Sequence, residues 1–378
     1  MDKSFIPLSI PNLIGNEQKY TANALEDGWV STGGAYISQF ENDIVQYVHA
    51  AGAVACQSGT AGLHLALLAC GVDATHEVIV PTLTFVAAVN PVKYVGATPI
   101  FMDCDDTLCM DMQKLRRFIE TECTFAEGKL SNKRTQKHIK AVVVVHVFGN
   151  LADMDSLMEL ASQYHLKIVE DATEALGSYY LQGKYAGKFA GTIGDVGVYS
   201  FNGNKIITTG GGGMLVSDDE QILKKSKYLS TQAKDDELYF IHKAVGYNYR
   251  MTNVQAAIGL AQLELLEDFI KVKATNYDQY NQLGMYLLPF RTDIRTNHWF
   301  YSYLTDKRDE LIQYLTANRI QARPVWYLIH KLEPYQYAQS FEIKKAEYYW
   351  DKIVNIPCST NLSKDDVKVV AQAILRFE

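Results

Sequence analysis

The chain has 378 residues, 48% hydrophobic and 21% charged, the balance of a folded globular protein rather than a disordered one. Its length corresponds to roughly two to three ordinary domain units, so one large core with a smaller appended unit is expected. Thirty-six Lys and Arg against 43 Asp and Glu give a net charge of −7, which argues against nucleic acid or an anionic lipid surface as a partner.

Residues 141–148 are among the longest apolar stretches and fall far short of the ~20 residues that cross a bilayer, so no membrane association is expected. The N-terminus MDKSFIPLSIPNLIGNE lacks the apolar core of a secretory signal, and a cytoplasmic location follows as the expectation. The cysteines, Cys56, Cys70, Cys104, Cys109, Cys123 and Cys358, never form a CxxC pair. Reduced, mainly structural thiols are expected, with no metal and no disulfide framework.

Taken in chain order, seven short β-branched runs predict strands at residues 53–56, 78–81, 98–103, 141–147, 167–170, 196–201 and 213–216. The run AVVVVHVF is unbroken apolar, as expected where helices cover both faces of a strand. Amphipathic segments at 60–70 and 154–165 fit between them. The fold class expected is therefore α/β, with a mostly parallel seven-stranded sheet between helices. Residues 121–140, with Lys129, Lys133, Arg134, Lys137, His138 and Lys140, read as a solvated helix-to-strand connection rather than a ligand patch. The string NVQAAIGLAQLELLEDFIKVK predicts one long amphipathic helix, followed by an aromatic-rich α+β pattern through Tyr301, Tyr303, Trp326 and Tyr349. A boundary near 266–273 gives a large domain with an N-terminal arm, 1–268, and a small C-terminal α+β domain, 269–378.

Several segments could carry chemistry, each with a plainer reading beside it. Ser58, Gly59 and Thr60 open a helix, where free amides and the positive helix end suit a phosphate; a simple N-cap explains them too. Phe85 lies just past a strand end and could stack on a flat ligand or pack in the core. Asp171 ends an apolar strand, the address where ligands gather in open α/β sheets, although it could merely cap the next helix. Between Asp195 and Asp218 the only charged residue is Lys205, set between an apolar strand and Gly210–Gly213. Such desolvation frees a nucleophilic, imine-forming amine, unless the side chain snorkels out to water. Asn248 and Arg250 precede the long helix and could hold an anion or fix the helix entry. His146, on an apolar strand, reads as a satisfied histidine rather than a metal ligand.

As an ordered set these segments resemble the pyridoxal-phosphate-dependent nucleotide-sugar aminotransferases of the DegT/StrS type, which have the aspartate aminotransferase (type I) fold. The resemblance runs from GWVSTGGAYISQFE through SGTAGLHLAL, PTLTFVA, HVFGN, EDATEALGS, SFNGNK and GYNYRMTNVQAAIG to ARPVW and NIPCS. It implies that Lys205 carries pyridoxal 5'-phosphate covalently and moves the proton, and that Asp171 partners the pyridine nitrogen. Phe85 would stack on the ring, and Ser200, Thr60 and Ala61 would cradle the phosphate. Asn248 would reach the neighbouring subunit's cofactor, so a homodimer with shared sites is implied. Glu174 stands where many relatives have Gln, and Gly211 where the usual motif has Glu. A carboxylate at position 174 would have to be protonated or turned away. Arg250, Arg323, Trp326, Tyr327 and His330 are candidate contacts to the nucleotide or sugar.

The NGNKIITT string and the EALGS ending resemble the branch that aminates UDP-linked 4-keto-6-deoxy-N-acetylhexosamines in bacillosamine- and legionaminic-acid-type pathways, with L-glutamate as donor. The alternatives are another keto sugar, of perosamine or viosamine type, or a non-catalytic ligand-sensing relative. Loss of the lysine or the aspartate would mark the last, and both are present. Relatives that deoxygenate sugars carry His in place of the lysine, so Lys205 argues for amine transfer.

Overall fold

All seven apolar runs take their places in one ten-stranded sheet of the computed structural model, which describes residues 5–236 and 238–378. Its strands are β1 (Gly52–Cys56), β2 (His76–Pro81), β3 (Thr98–Met102), β4 (Cys123–Ala126), β5 (Lys129–Asn132), β6 (His138–Val145), β7 (Lys167–Asp171), β8 (Val196–Ser200), β9 (Gly213–Ser217) and β10 (Gln339–Phe341). The spatial order is β1-β9-β8-β7-β6-β2-β3-β10, with β5 added beside β6 and β4 beside β5. From β8 to β10 every pairing is parallel, and β9 runs antiparallel between β1 and β8. Val142, Val143 and Val144 point alternately to opposite faces, yet none is more than 1% exposed. Both faces of the sheet are therefore covered, which is why its sequence reads as continuous rather than alternating hydrophobicity.

Three elements differ from the sequence expectation. Residues 121–140 hold the hairpin β4–β5 rather than a plain connection, turning through left-handed Glu127 and Gly128. Its anchor is buried Asn132, whose amide donates to Glu77 Oε2 (2.9 Å) and Gln339 Oε1 (2.8 Å), tying β5 to β2 and β10. Strand β10, short and polar, comes from the C-terminal part of the chain and completes the sheet edge on β3. The long helix is two: α2 (Asn253–Leu263), opened by a Thr252–Gln255 capping box, and α3 (Leu266–Gln282). The chain turns at Glu264, which accepts hydrogen bonds from Asn16 (2.7 Å) and Tyr20 (2.6 Å).

The expected division at 268/269 lies in the first turn of α3. Beyond it, strand Tyr301–Leu304 pairs with Ile353–Ile356, which pairs with Arg323–Pro324, and helices Arg308–Ala317 and Lys364–Phe377 accompany this small sheet. All six cysteines are buried and free, and burial pushes the thiols of Cys56 and Cys109 up to about 12. Among the described residues no helix is long and apolar enough to cross a membrane.

Candidate active site

The loops that follow β1, β2, β7 and β8 leave the same edge of the sheet, because those strands all run in one direction. They surround a cavity of ≈ 350 Å³ whose lining includes Thr60, Phe85, Asp171, Glu174, Ser200 and Lys205. Helix α1 (Gly59–Ala69) starts directly after β1, capped by Ser58, whose Oγ accepts the Ala61 amide (3.1 Å). Ala61 thus spends its N–H inside the helix, and Gly62 donates to Ser58 O. Of the first-turn amides, those of Gly59 and Thr60 remain for a ligand, beside the Ser200 hydroxyl. The approach is close: a Cβ on Gly59 would meet Ser200 Cβ at 2.9 Å, and one on Gly213 would meet the Ser58 carbonyl carbon at 2.5 Å.

Asp171 ends β7, is 3% exposed, and accepts the Thr173 amide (3.1 Å). Burial raises its pKa, with the Thr173 bonds and the Lys205 charge pulling the other way. Behind it, His146 sits against buried Glu170, Nε2 to Oε2 at 2.8 Å, while the Ala152 amide donates to His146 Nδ1 (3.2 Å). An accepting Nδ1 leaves Nε2 as the donor in the neutral ring, so this histidine is fully engaged. Burial alone would raise the Glu170 pKa, but His146 and the amides of Gly191 and Gly194 hold it below its ordinary value.

Lys205 does not snorkel: only 12% of its side chain is exposed, and Nζ lies 3.9 Å from Glu174 Oε1. Burial lowers its pKa, opposed by Glu174 and Asp171. Glu174 is held by the Phe148 amide, which donates to Oε2 (2.9 Å), and burial raises its pKa against the pull of Lys205. Its carboxyl is therefore turned toward the lysine and biased to the protonated form. Phe85 is 53% exposed and lines the cavity rather than filling the core.

The match to known proteins follows this geometry. Residues 11–375 match the DegT/DnrJ/EryC1/StrS aminotransferase family. The chain belongs to that family. GDP-perosamine synthase of Escherichia coli O157:H7 is 38% identical over 380 residues, spanning 99% of this chain and 98% of its own. The GDP-perosamine synthase of Caulobacter vibrioides is 36% identical, spanning 98% of this chain and 97% of its own. A crystal structure of a DegT/DnrJ/EryC1/StrS aminotransferase from Brucella abortus superposes with a TM-score of 0.88 at 24% identity, covering 96% of this chain and 95% of that one, a likeness of fold. The protein is a pyridoxal-phosphate-dependent sugar aminotransferase.

The cavity of the aminotransferase fits that cofactor. It offers an inward-facing amine, a strand-end carboxyl, an exposed aromatic face and a helix start crowded too closely for side chains, the donor set an aldehyde-bearing, phosphorylated heterocycle requires. Asn248, Arg250, Arg323 and His330 do not line this cavity. Asn248 is exposed and bridges to Thr231, and Arg250 reaches Gln232 Oε1 (3.4 Å). Arg323 is exposed on the small sheet, and His330 Nδ1 lies 2.6 Å from Thr82 Oγ1. Trp326 does line the cavity, while Tyr327 packs edge-on against Trp350. The lining also includes Asn202, Asn204, Trp299 and Phe300, which sequence reasoning did not single out. The two asparagines lie within SFNGNK and were within reach of a motif argument; no spacing or periodicity connects Trp299 to Lys205.

Proposed function

We propose that this aminotransferase moves the amino group of L-glutamate onto a GDP-linked keto sugar, as in perosamine formation. The observation that supports the sugar is the full-length similarity to GDP-perosamine synthases. The UDP-linked N-acetylhexosamine read from NGNKIITT and EALGS gives way to the perosamine-type alternative, because those short strings cover far less of the chain than that similarity does.

In this reading Lys205 Nζ anchors the cofactor, takes the proton from the donor's α-carbon and returns one to the sugar carbon that receives nitrogen. Asp171 would hold the proton of the ring nitrogen, Phe85 would offer its face to the ring, and Thr60 and Ser200, with the Gly59 amide, would hold the phosphate. When bound, pyridoxal phosphate supplies the electron sink that amine transfer needs. The domain division at 268/269 then separates a cofactor-binding unit from a smaller one that brings Trp299 and Trp326 to the cavity. A homodimer completes the proposal: Asn248 is exposed outside its own cavity, and the neighbouring Leu238, Tyr239, Phe240 and Val245 expose apolar surface that a second copy would cover.

The test uses cofactor-loaded enzyme. L-Glutamate should release 2-oxoglutarate, and the aminated enzyme should then convert a GDP-linked keto sugar to an amine detected by mass spectrometry. Amination of UDP-linked but not GDP-linked sugars would refute the sugar assignment, and no 2-oxoglutarate would refute the donor.

A further inference from the structure

Trp299 lies in the small-domain segment, 95 residues from Asn204 in sequence, yet it is fixed against the Lys205 loop. Its indole N–H donates to Asn204 O (2.8 Å), and its own carbonyl accepts from Lys273 Nζ (2.9 Å). Its amide donates to Phe148 O (3.1 Å) and Asn297 Oδ1 (3.0 Å), and Phe300 stacks on the ring at 4.1 Å. The face so oriented lies 4.2 Å from Lys205 Nζ, measured to the ring centroid. Lys273 is 2% exposed; its ammonium also donates to Cys358 O (2.6 Å) and lies 5.6 Å from the Tyr301 ring centroid. Burying an ammonium against two main-chain carbonyls is costly, and the amine-transfer chemistry makes no direct use of it; what it does is tie the Trp299 main chain to that of Cys358.

We propose that Trp299 is a positioning residue for Lys205: its indole, pinned at both ends, holds the Lys205 ammonium over its face whenever that amine carries no covalent bond. The inference rests on the reading of Lys205 as the cofactor-binding lysine. The titratable groups facing Lys205 are Glu174, at 3.9 Å, and Asp171 at the end of β7; Lys273 stands behind the Trp299 main chain. An aromatic face favours the ammonium, whereas burial favours the neutral amine. The two together keep Lys205 able to give as well as take a proton at working pH, which a lysine serving both halves of an amine transfer requires.

The test reads Lys205 in the cofactor-free full-length protein, by its pH-dependent reaction with an amine-acylating reagent followed by peptide mass spectrometry. Trp299→Leu should lower the midpoint by about 0.4 to 1.5 pH units, and Trp299→Phe, which keeps a π face, should retain most of the wild-type value. An unchanged midpoint in Trp299→Leu, or an equal fall in Trp299→Phe, would overturn the proposal. Should Trp299→Leu fail to fold, fluorinated tryptophan in a Trp326→Phe background weakens the face without changing its shape. The midpoint should then fall with fluorination, and a constant midpoint would overturn the proposal as well. Lys205→Ala separately tests the underlying reading: a covalent cofactor band that persists in that variant defeats it, whatever the Trp299 variants show.

Discussion

Gly213→Ala should damage cofactor binding through a purely steric route. Gly213 opens β9 between β1 and β8, paired with Cys56 on one side and Ser200 on the other, so the strand has no free edge along which to shift. An added Cβ would lie 2.5 Å from Ser58 C, 2.6 Å from Ser58 O and 2.7 Å from Gly59 N. All three are backbone atoms of the turn that presents the helix start to the cavity. Relief requires the turn to retreat by roughly 1 Å, at a cost of about 1–3 kcal/mol in stability for overpacking. Losing one amide bond to the phosphate costs about 1.5–3 kcal/mol, so affinity for pyridoxal phosphate should fall about ten- to hundredfold. Gly211→Ala is the control: it lines the same cavity, but its Cβ would meet nothing nearer than Gln255 Nε2 at 3.9 Å, and its affinity should stay within about twofold. Spectroscopic titration of the cofactor-free proteins measures both. Wild-type affinity in Gly213→Ala would refute the reasoning.

Asp171→Asn should preserve the fold and slow turnover about ten- to hundredfold, the kinetic equivalent of one hydrogen bond to a charged group; a rate within twofold of wild type would remove Asp171 from the chemistry. For Glu174, burial raises the folded pKa, so the unfolded chain releases this proton first and the carboxyl destabilises the fold increasingly as pH climbs above its ordinary 4.5. Glu174→Gln should therefore gain thermal stability relative to wild type toward neutral pH and little near pH 4, in cofactor-free protein. A difference independent of pH would contradict this. Glu170→Ala should cost about 3–5 kcal/mol in urea unfolding, since it strands His146 and the amides of Gly191, Ile193 and Gly194 in the core; a loss below about 1 kcal/mol would show that water replaces the carboxylate.

Seven of the ten strands of the central sheet were legible because burial on both faces writes itself into each run as largely unbroken apolar residues, a local signal. Lys205 stood out as the only charged residue between Asp195 and Asp218, and Asp171 by its address at the end of an apolar strand. Hairpin β4–β5 was hidden because its anchor is a single Asn132 reaching two distant strands, amid lysines that solvent alone would explain. The break between α2 and α3 falls where Glu264 meets Asn16 and Tyr20, and nothing in the helical periodicity registers those partners.

By itself the sequence determined the mostly parallel α/β class, the burial of Lys205 and the strand-end position of Asp171, and, through ordered motifs, the family. Only the tertiary structure decided that Glu174 turns toward Lys205, that the Ala61 amide is consumed by its own helix cap, and that Trp299 lies over the lysine. The physical reason is one of range: burial and periodicity act on neighbouring residues and leave a trace in their order, whereas the contacts around the site join segments far apart in the chain and exist only once the sheet and the C-terminal segment have packed.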